Sequence, residues 1–308
     1  MKHKSIQVLV KDKLYPKQLK AISSTPSSLY IKGKLNKNSF DKCISIVGTR
    51  HPTEYGKKIT KKLVIHLGLN NYTFVSGFMY GIDNIVHDTC IEHNFKTIAV
   101  LPYGIDKKLN KTNNTRASKI IDNGGLLVSE YENDLSPQKY MFVKRNRIVS
   151  AISSSLVVIQ GTKNSGTMTT VEFAFKQGKN IFAVPGNIDC DLSSGVNSLI
   201  KNNKAQLLDD FNTILKVENT NNIQSSLHIN KEINNAITSN TNLITNNSSY
   251  NFDTVLHAKV YKLISKEPLS FESIFNNFNE PISTIISIVS DLEIKGLITN
   301  SGGVFNVS

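Results

Sequence analysis

The stretch Ser45-Ile46-Val47-Gly48-Thr49-Arg50-His51-Pro52-Thr53-Glu54-Tyr55-Gly56 decides the fold. An apolar run ends in a glycine turn, and a helical pattern with apolar Ile59, Leu63 and Leu67 follows it. A strand that leads through such a turn into a helix is typical of phosphate-binding α/β proteins, because the backbone N–H groups of a helix N-terminus attract anions. The open question is whether the phosphate belongs to a nucleotide cofactor or to a polymer.

The spacing around this turn disfavours a nucleotide cofactor. Dinucleotide-binding units carry G-x-G-x-x-G and an acidic residue at the end of the second strand. Here the glycine after Gly48 is Gly56, and the second strand ends in Val75-Ser76-Gly77 without an acid. The mononucleotide pattern G-x-x-x-x-G-K-[ST] is absent as well. The sequence therefore predicts no cofactor.

Outward from this turn, short apolar runs alternate with helical patterns between Cys43 and Leu208. The predicted strands are Ile44 to Val47, Tyr72 to Val75, Thr97 to Leu101, Leu126 to Ser129, Leu156 to Gln160 and Ile181 to Val184. Near-continuous Val/Ile/Leu runs suit strands that are covered on both faces. The pattern predicts an α/β fold, a Rossmann-like, mostly parallel sheet with helices on both faces.

The chain divides into four predicted segments. Residues 1–42 form a lead-in with turns and one short strand, and residues 43–217 form the Rossmann-like domain. Residues 218–251 are rich in Asn and are predicted to be a flexible linker. Residues 252–308 show three helical patterns and then two short strands around a glycine turn, which is the order of elements in a winged-helix domain.

The charge is unevenly distributed along these segments. The 308 residues contain 36 Lys+Arg and 24 Asp+Glu, a formal net charge of +12. Residues 252–308 carry −2, so the remainder carries +14, which favours a polyanionic partner. The third helical pattern of the tail, which a winged-helix transcription regulator would place in the major groove of DNA, bears Asp291 and Glu293. These acidic residues disfavour sequence-specific binding of double-stranded DNA by this segment.

Two further turns and one cluster point to a nucleic acid. Ser76 to Asp83 and Gly161 to Thr167 are turns that each follow a predicted strand, and such turns meet at one edge of a parallel sheet. Tyr140 to Ile148 combines aromatic residues with three cations, the pairing that stacks a base and holds its phosphate. Asp83 and His87 are interpreted as a helix-capping acid and a structural histidine rather than an acid/base pair.

Other classes of site find no support in the sequence. Cys43, Cys90 and Cys190 lack the spacing of a zinc site, and the histidines form no ligand-spaced pair, so neither a metal nor a catalytic residue is predicted. No signal peptide or membrane-spanning run is visible, so a cytoplasmic protein without membrane contact is expected.

Several short motifs together resemble the DNA-processing protein A family, also called DprA or Smf. They are Val47-Gly48-Thr49-Arg50, Ser76-Gly77 with Gly81-Ile82-Asp83, Ser129-Glu130, Phe142 with Arg145-Asn146-Arg147-Ile148, Ser165-Gly166 and Ala183-Val184-Pro185-Gly186. The resemblance covers residues 5 to 211. It implies a cytoplasmic, non-catalytic protein that binds and protects incoming single-stranded DNA, forms a homodimer and helps load the RecA recombinase in natural transformation.

The resemblance also implies which residues bind DNA. They are Gly48, Arg50, Gly77, Phe142, Lys163, Arg145, Arg147, Ser165 and Gly166. Three positions depart from the family's pattern. Tyr80 replaces a frequent arginine, Val143 replaces a proline, and Asn202-Asn203 stands where a glycine is expected, although Asn tolerates a left-handed backbone.

A nucleotide-processing enzyme is the alternative. The cytokinin-activating phosphoribohydrolases resemble this fold and use a G-G-x-G-T-x-x-E turn. In this chain Thr170 holds the position of the catalytic acid, and Glu172 lies two residues later, on another side of the predicted helix. The sequence therefore favours binding over hydrolysis.

Overall fold

The structure is a computed structural model that describes residues 4–218, 255–278, 280 and 282–307. The chain divides into two compact units, Met1–Lys231 and Glu232–Ser308. The predicted linker, 218–251, falls outside the described residues except for Glu218. Its flexibility and the four predicted segment boundaries therefore stay predictions.

The first unit is built around a nine-stranded sheet. Its strands are β1 (Ile6–Leu9), β2 (Ser28–Lys32), β3 (Cys43–Val47), β4 (Thr73–Ser76), β5 (Thr97–Leu101), β6 (Leu126–Ser129), β7 (Ser155–Val158), β8 (Asn180–Ala183) and β9 (Gln206–Leu207). Its helices are α1 (Lys17–Lys20), α2 (Glu54–Leu69), α3 (Ile82–Glu92), α4 (Lys111–Asp122), α5 (Lys139–Ile152), α6 (Gly166–Lys176), α7 (Ser194–Lys201) and α8 (residues 212–218), with a short 3-10 helix at Asp191–Ser193.

The strands lie in the order β1-β2-β6-β5-β4-β3-β7-β8-β9. All neighbours from β6 to β9 pair in parallel, whereas β1, β2 and β6 pair antiparallel. The Rossmann-like, mostly parallel sheet predicted from the sequence is confirmed.

Two strands of the predicted lead-in, β1 and β2, belong to this sheet. Tyr30 of β2 pairs with Ser129 of β6, and β1 pairs in turn with β2. Only β2 was predicted in this segment. The sequence cannot reveal such pairing, because strand β1 is short, half exposed and stabilised by a partner far along the chain.

Alternate side chains of the strands pack on opposite faces of the sheet. Val47, Val75 and Val158 contact residues of α5, α6 and α7 on one face. Ile46 and Phe74 pack with α2 and α3 on the other. This two-sided burial explains why the strands are apolar throughout.

The direction in which successive strands are added to the sheet reverses between β3 and β7. The chain steps from β3 outward through β4, β5 and β6, and α5 then returns it to β7 on the other side of β3. The carboxyl ends of the strands diverge at such a reversal, which makes it the usual ligand crevice of an open α/β sheet. The quoted turn after β3 and the turn after β7 both lie there.

The second unit has the predicted succession of three helices and a hairpin. The helices are α9 (Val255–Ile264), α10 (Phe271–Asn276) and α11 (Ile282–Ile294), and the hairpin strands are β11 (Ile298–Ser301) and β12 (Val304–Val307). A further strand, β10 (Leu269–Ser270), pairs with β12 and was not predicted. No helix in the described parts of the chain is long and apolar enough to cross a membrane.

Candidate nucleic-acid interface

A cleft of about 350 Å³ opens at the reversal between β3 and β7. We call it the switch cleft. Its walls are the turn after β3, the turn after β4, the first turns of α5 and the start of α6. Seven of the nine predicted DNA-binding residues line it: Gly48, Arg50, Gly77, Phe142, Arg145, Ser165 and Gly166. Segments up to 118 positions apart in sequence therefore meet as the sequence analysis predicts, although contact with DNA stays a prediction.

The switch cleft places an exposed cation beside an aromatic ring. Arg50 is exposed, and its guanidinium carbon lies 6.0 Å from the centre of the Phe142 ring. The ring is half-buried in the first turns of α5. A guanidinium at the edge of cation–π distance leaves its N–H groups available to a phosphate.

Helix α6 points its N-terminus into the same cleft. Ser165 is the N-cap residue, and its side chain makes no capping hydrogen bond. The Ser165 hydroxyl is buried and has no hydrogen-bond partner among the described residues, and the space where a Cβ of Gly166 would sit is open. The first N–H groups of a helix lack intrahelical partners, so this end of the cleft favours an anion.

The glycines of the first two turns have a packing role that the sequence did not reveal. A Cβ on Gly48 would lie 2.5 Å from Cγ1 of Ile82, and a Cβ on Gly81 would lie 2.3 Å from the carbonyl oxygen of Thr49. The N–H of Ile82 donates to that same oxygen over 3.2 Å. Glycine is needed there so that the two turns can touch.

Arg145 is a buried residue that stabilises one wall of the cleft. It is 5% exposed, and its Nη1 donates to the carbonyl oxygens of Gly77 and Val100 at the ends of β4 and β5. Burial lowers the pKa of Arg145 to about 10, while the nearby Asp83 opposes the shift. Burial also raises the pKa of Asp83, against the effect of Arg145. Arg145 therefore holds the turn after β4 on α5.

His87 takes the structural role favoured by the sequence, whereas Asp83 does not cap α3, because Gly81 is the N-cap residue and no side chain makes a capping hydrogen bond there. Asp83 accepts a hydrogen bond from the backbone N–H of Met79 over 3.3 Å. His87 is fully buried, and its Nδ1 lies 2.8 Å from Oγ1 of Thr97. Because the Thr97 hydroxyl already donates to the Phe74 carbonyl, Nδ1–H of His87 is the donor. Burial lowers the pKa of His87 to about 3, so the ring is neutral.

Arg147 does not line the switch cleft, unlike seven of the other predicted residues. Only 5% of its side chain is exposed, and its Nη2 lies 2.5 Å from Oε1 of Glu130. The Nε and Nη1 atoms of Arg147 are buried without a hydrogen-bond partner among the described residues, and its contact with DNA stays a prediction. Of the three cations predicted in this segment, only Lys144 is exposed, whereas Arg145 and Arg147 are buried. One side of α5 faces the sheet, so neighbouring residues of the helix differ in exposure.

Lys163 lies on a different surface. It is exposed and lines a cleft formed by α6 and α7, together with Phe175 and Lys204. Glu172, the acid of the alternative enzyme reading, lines that cleft too and not the switch cleft. The start of α6 separates these two surfaces.

Several lining residues were not predicted as binding residues. They are Val47, Thr49, His51, Met79, Tyr80, Asp83, Val143, Asn146, Val149, Thr167, Thr169 and Thr170. Asn146 donates from Nδ2 to Oγ1 of Thr169 over 2.9 Å, which ties α5 to α6 across the cleft. The exposed His51 was detectable, because it follows Arg50 inside the quoted turn.

The chain is similar to proteins of one family. The family model for DNA recombination-mediator protein A matches residues 7–219. The chain is 35% identical over 192 residues to the DNA processing protein DprA of Bacillus subtilis, which is 62% of this chain and 64% of that protein. It is 34% identical over 215 residues to the protein Smf of Escherichia coli, which is 70% of this chain and 55% of that protein. The alignments thus span less than two thirds of both relatives.

Two solved structures share the fold. DNA processing protein A from Helicobacter pylori, whose structure concerns its single-stranded DNA binding mode, superposes with a TM-score of 0.63 at 29% identity, covering 71% of this chain and 98% of that one. The Streptococcus pneumoniae protein DprA gives a TM-score of 0.62 at 32% identity, covering 70% and 74%. The family model matches more than half of the chain, so the chain belongs to the DNA recombination-mediator protein A family.

Proposed function

We propose that this protein binds single-stranded DNA in the switch cleft, protects incoming strands and helps load the RecA recombinase during natural transformation in the cytoplasm. The observation that carries the proposal is the pairing of exposed Arg50 with the half-buried ring of Phe142 beside the uncapped start of α6. A cation, an anion-binding helix end and a stacking ring are the parts needed to hold one nucleotide of a strand.

A flexible single strand fits this site better than a duplex. A ring at the wall of a narrow cleft stacks only on a base that is free of its partner, whereas the bases of a duplex are already stacked. The net charge of residues 1–251, +14, supplies the sequence-independent attraction to phosphates.

Binding affinity over a salt series tests the proposal. Fluorescence anisotropy with oligothymidylate and with duplex of equal length should show preference for the single strand, with a slope of log K against log salt of about −3 to −3.5 for roughly four or five phosphate contacts. Arg50→Ala should make the slope shallower by about 0.7. The matched control is Lys58→Ala, which removes an exposed cation on α2 outside the cleft. Equal binding to both DNAs, or equal effects of the two substitutions, contradicts the proposal.

The proposed partners are RecA and a second copy of this chain. Family membership supports both. RecA loading is tested by the lag of RecA ATPase activity on single strands coated with single-strand-binding protein, which the wild type should shorten and Arg50→Ala should not. Self-association is tested by light scattering, which should give twice the monomer mass.

The switch cleft supports binding rather than hydrolysis of nucleotides. Asp83 is the carboxylate among the described residues that line it, and that group is buried beside Arg145. Thr170 occupies the position of the phosphoribohydrolase acid. We therefore propose no catalytic role, and incubation with nucleoside monophosphates should release no free base.

A further inference from the structure

A second cleft adjoins the switch cleft. It has a volume of about 260 Å³, and its lining includes Lys107, Lys108 and Asn110 from the loop that joins β5 to α4. We call it the lysine cleft. Met79, Tyr80 and Phe142 line both clefts, so these three side chains form the ridge between them.

The ridge carries an aromatic ring that has no packing role. Tyr80 is 61% exposed, an unusual amount for a large aromatic side chain. It directly precedes Gly81, whose positive φ of 81° turns the backbone into α3. A ring held on a rigid turn loses little entropy when a flat ligand stacks on it.

The lysine cleft also carries positive charge. Lys108 is exposed, and Lys107 is half-buried, with its Nζ donating to Oγ of Ser136 over 2.7 Å. That hydrogen bond holds Lys107 at the wall of the cleft. Two cations beside an exposed ring repeat the combination found at Arg50 and Phe142.

We propose that the lysine cleft is a second nucleotide subsite, in which the strand leaving the switch cleft crosses the ridge, stacks a base on Tyr80 and sets its next phosphates against Lys107 and Lys108. The inference rests on the proposed function. Its ligand is a continuation of the same single strand, because Met79, Tyr80 and Phe142 line both clefts.

A tryptophan placed on the ridge gives a direct test. The chain contains no Trp, so Tyr80→Trp introduces a single emitter that keeps a stacking ring at this exposed position. Oligothymidylates from about 4 to about 16 nucleotides are then titrated. Quenching should appear with the longer oligonucleotides and be weak with the shortest. Leu69→Trp is the control, because Leu69 is 73% exposed at the end of α2 and lines neither cleft.

Affinity measurements with the same oligonucleotides complete the test. Tyr80→Ala should weaken binding of the long strand about fivefold or more, while Tyr80→Phe stays close to the wild type. Lys108→Ala should make the salt slope for the long strand shallower by about 0.7, and Lys119→Ala, which removes an exposed lysine of α4 outside both clefts, should not. Tyr80→Ala should weaken the long strand more than the shortest one, and Lys108→Ala should not change the affinity for the shortest strand.

The outcomes separate this inference from the proposed function. If Arg50→Ala weakens all lengths while Tyr80→Ala and Lys108→Ala change none, the switch cleft binds DNA and the second subsite is wrong. If Tyr80→Ala weakens all lengths equally, Tyr80 belongs to the switch cleft and the second subsite is again wrong. If Arg50→Ala changes nothing, the proposed function itself fails.

Discussion

Arg50 and Phe142 lie 92 positions apart in sequence, and the guanidinium carbon of Arg50 is 6.0 Å from the centre of the Phe142 ring. The fold brings them together because α5 returns the chain to β7, next to the strand that carries the Arg50 turn. At this distance the ring holds the cation in place without consuming its hydrogen-bond donors.

Removal of the Phe142 ring should weaken single-strand binding. Phe142→Ala is expected to cost about 1–3 kcal/mol of binding free energy if the ring stacks a base, and Phe142→Tyr should retain most of the affinity. The control is Val143→Ala, since Val143 is an exposed apolar neighbour that lines the same cleft without a ring. Anisotropy titrations measure all three variants, and equal losses for Phe142→Ala and Val143→Ala would rule out stacking.

Arg145 should act on stability, in contrast to Arg50. Arg145→Met leaves the buried carboxylate of Asp83 and two carbonyl oxygens without their partner, which is expected to lower the free energy of unfolding by about 3–5 kcal/mol. Asp83→Asn in the same chain removes the orphaned charge and should recover part of the loss. Arg50→Met, at an exposed position, should leave stability unchanged. Urea denaturation separates the cases, and a stable Arg145→Met protein contradicts the assignment.

Gly81 should tolerate no side chain. Gly81→Ala combines a positive φ of 81°, expected to cost about 1–3 kcal/mol, with a Cβ placed 2.3 Å from the Thr49 carbonyl oxygen. Gly178→Ala isolates the first cost, since Gly178 has φ of 65° and open space around it. Thermal denaturation should show a clearly larger loss for Gly81→Ala, and single-strand affinity should fall only there. Equal losses of stability in the two variants would contradict the prediction, because the contact between the new Cβ and the Thr49 carbonyl oxygen would then cost nothing.

His87 should make the stability of the protein depend on pH. Its pKa is about 3 in the folded protein and about 6.5 in the unfolded chain, so the unfolded state binds the extra proton between these values. The free energy of unfolding therefore falls as the pH decreases below about 6.5, by at most about 1.4 kcal/mol per pH unit. Stability is fully present above this range and lost as the pH falls towards the folded pKa.

Urea denaturation at a series of pH values from 7 to about 5 measures the free energy of unfolding over this range, which spans the unfolded-state pKa of histidine. His87→Gln should flatten the dependence, because the glutamine side chain does not titrate. Thr89→Val, a buried substitution in the same helix that changes no titratable group, is the control and should leave the dependence unchanged. An unaltered slope in His87→Gln would mean that other groups set the pH response.

Local patterns in the sequence predicted most of the elements near the site. The Ile44 to Val47 run, the turn at Gly48 and the helix with Ile59 and Leu63 all lie where expected, because strand length and helical periodicity are properties of adjacent residues. The left-handed conformation allowed for Asn at positions 202 and 203 is present at Asn203, with φ of 55°. Strands β1, β9 and β10 were missed, since each is short and is stabilised by a distant partner.

The sequence by itself determined the order of strands and helices, and the concentration of glycine turns after the strands. Those features depend on apolar periodicity and on backbone conformations that only a few residue types adopt. Tertiary structure alone decided which cations face the cleft. Arg50 and Arg145 lie within it, one exposed and one braced against carbonyl groups, whereas Arg147 is buried against Glu130. The exposure of a charged side chain is set by distant segments that pack around it, and no local pattern records those contacts.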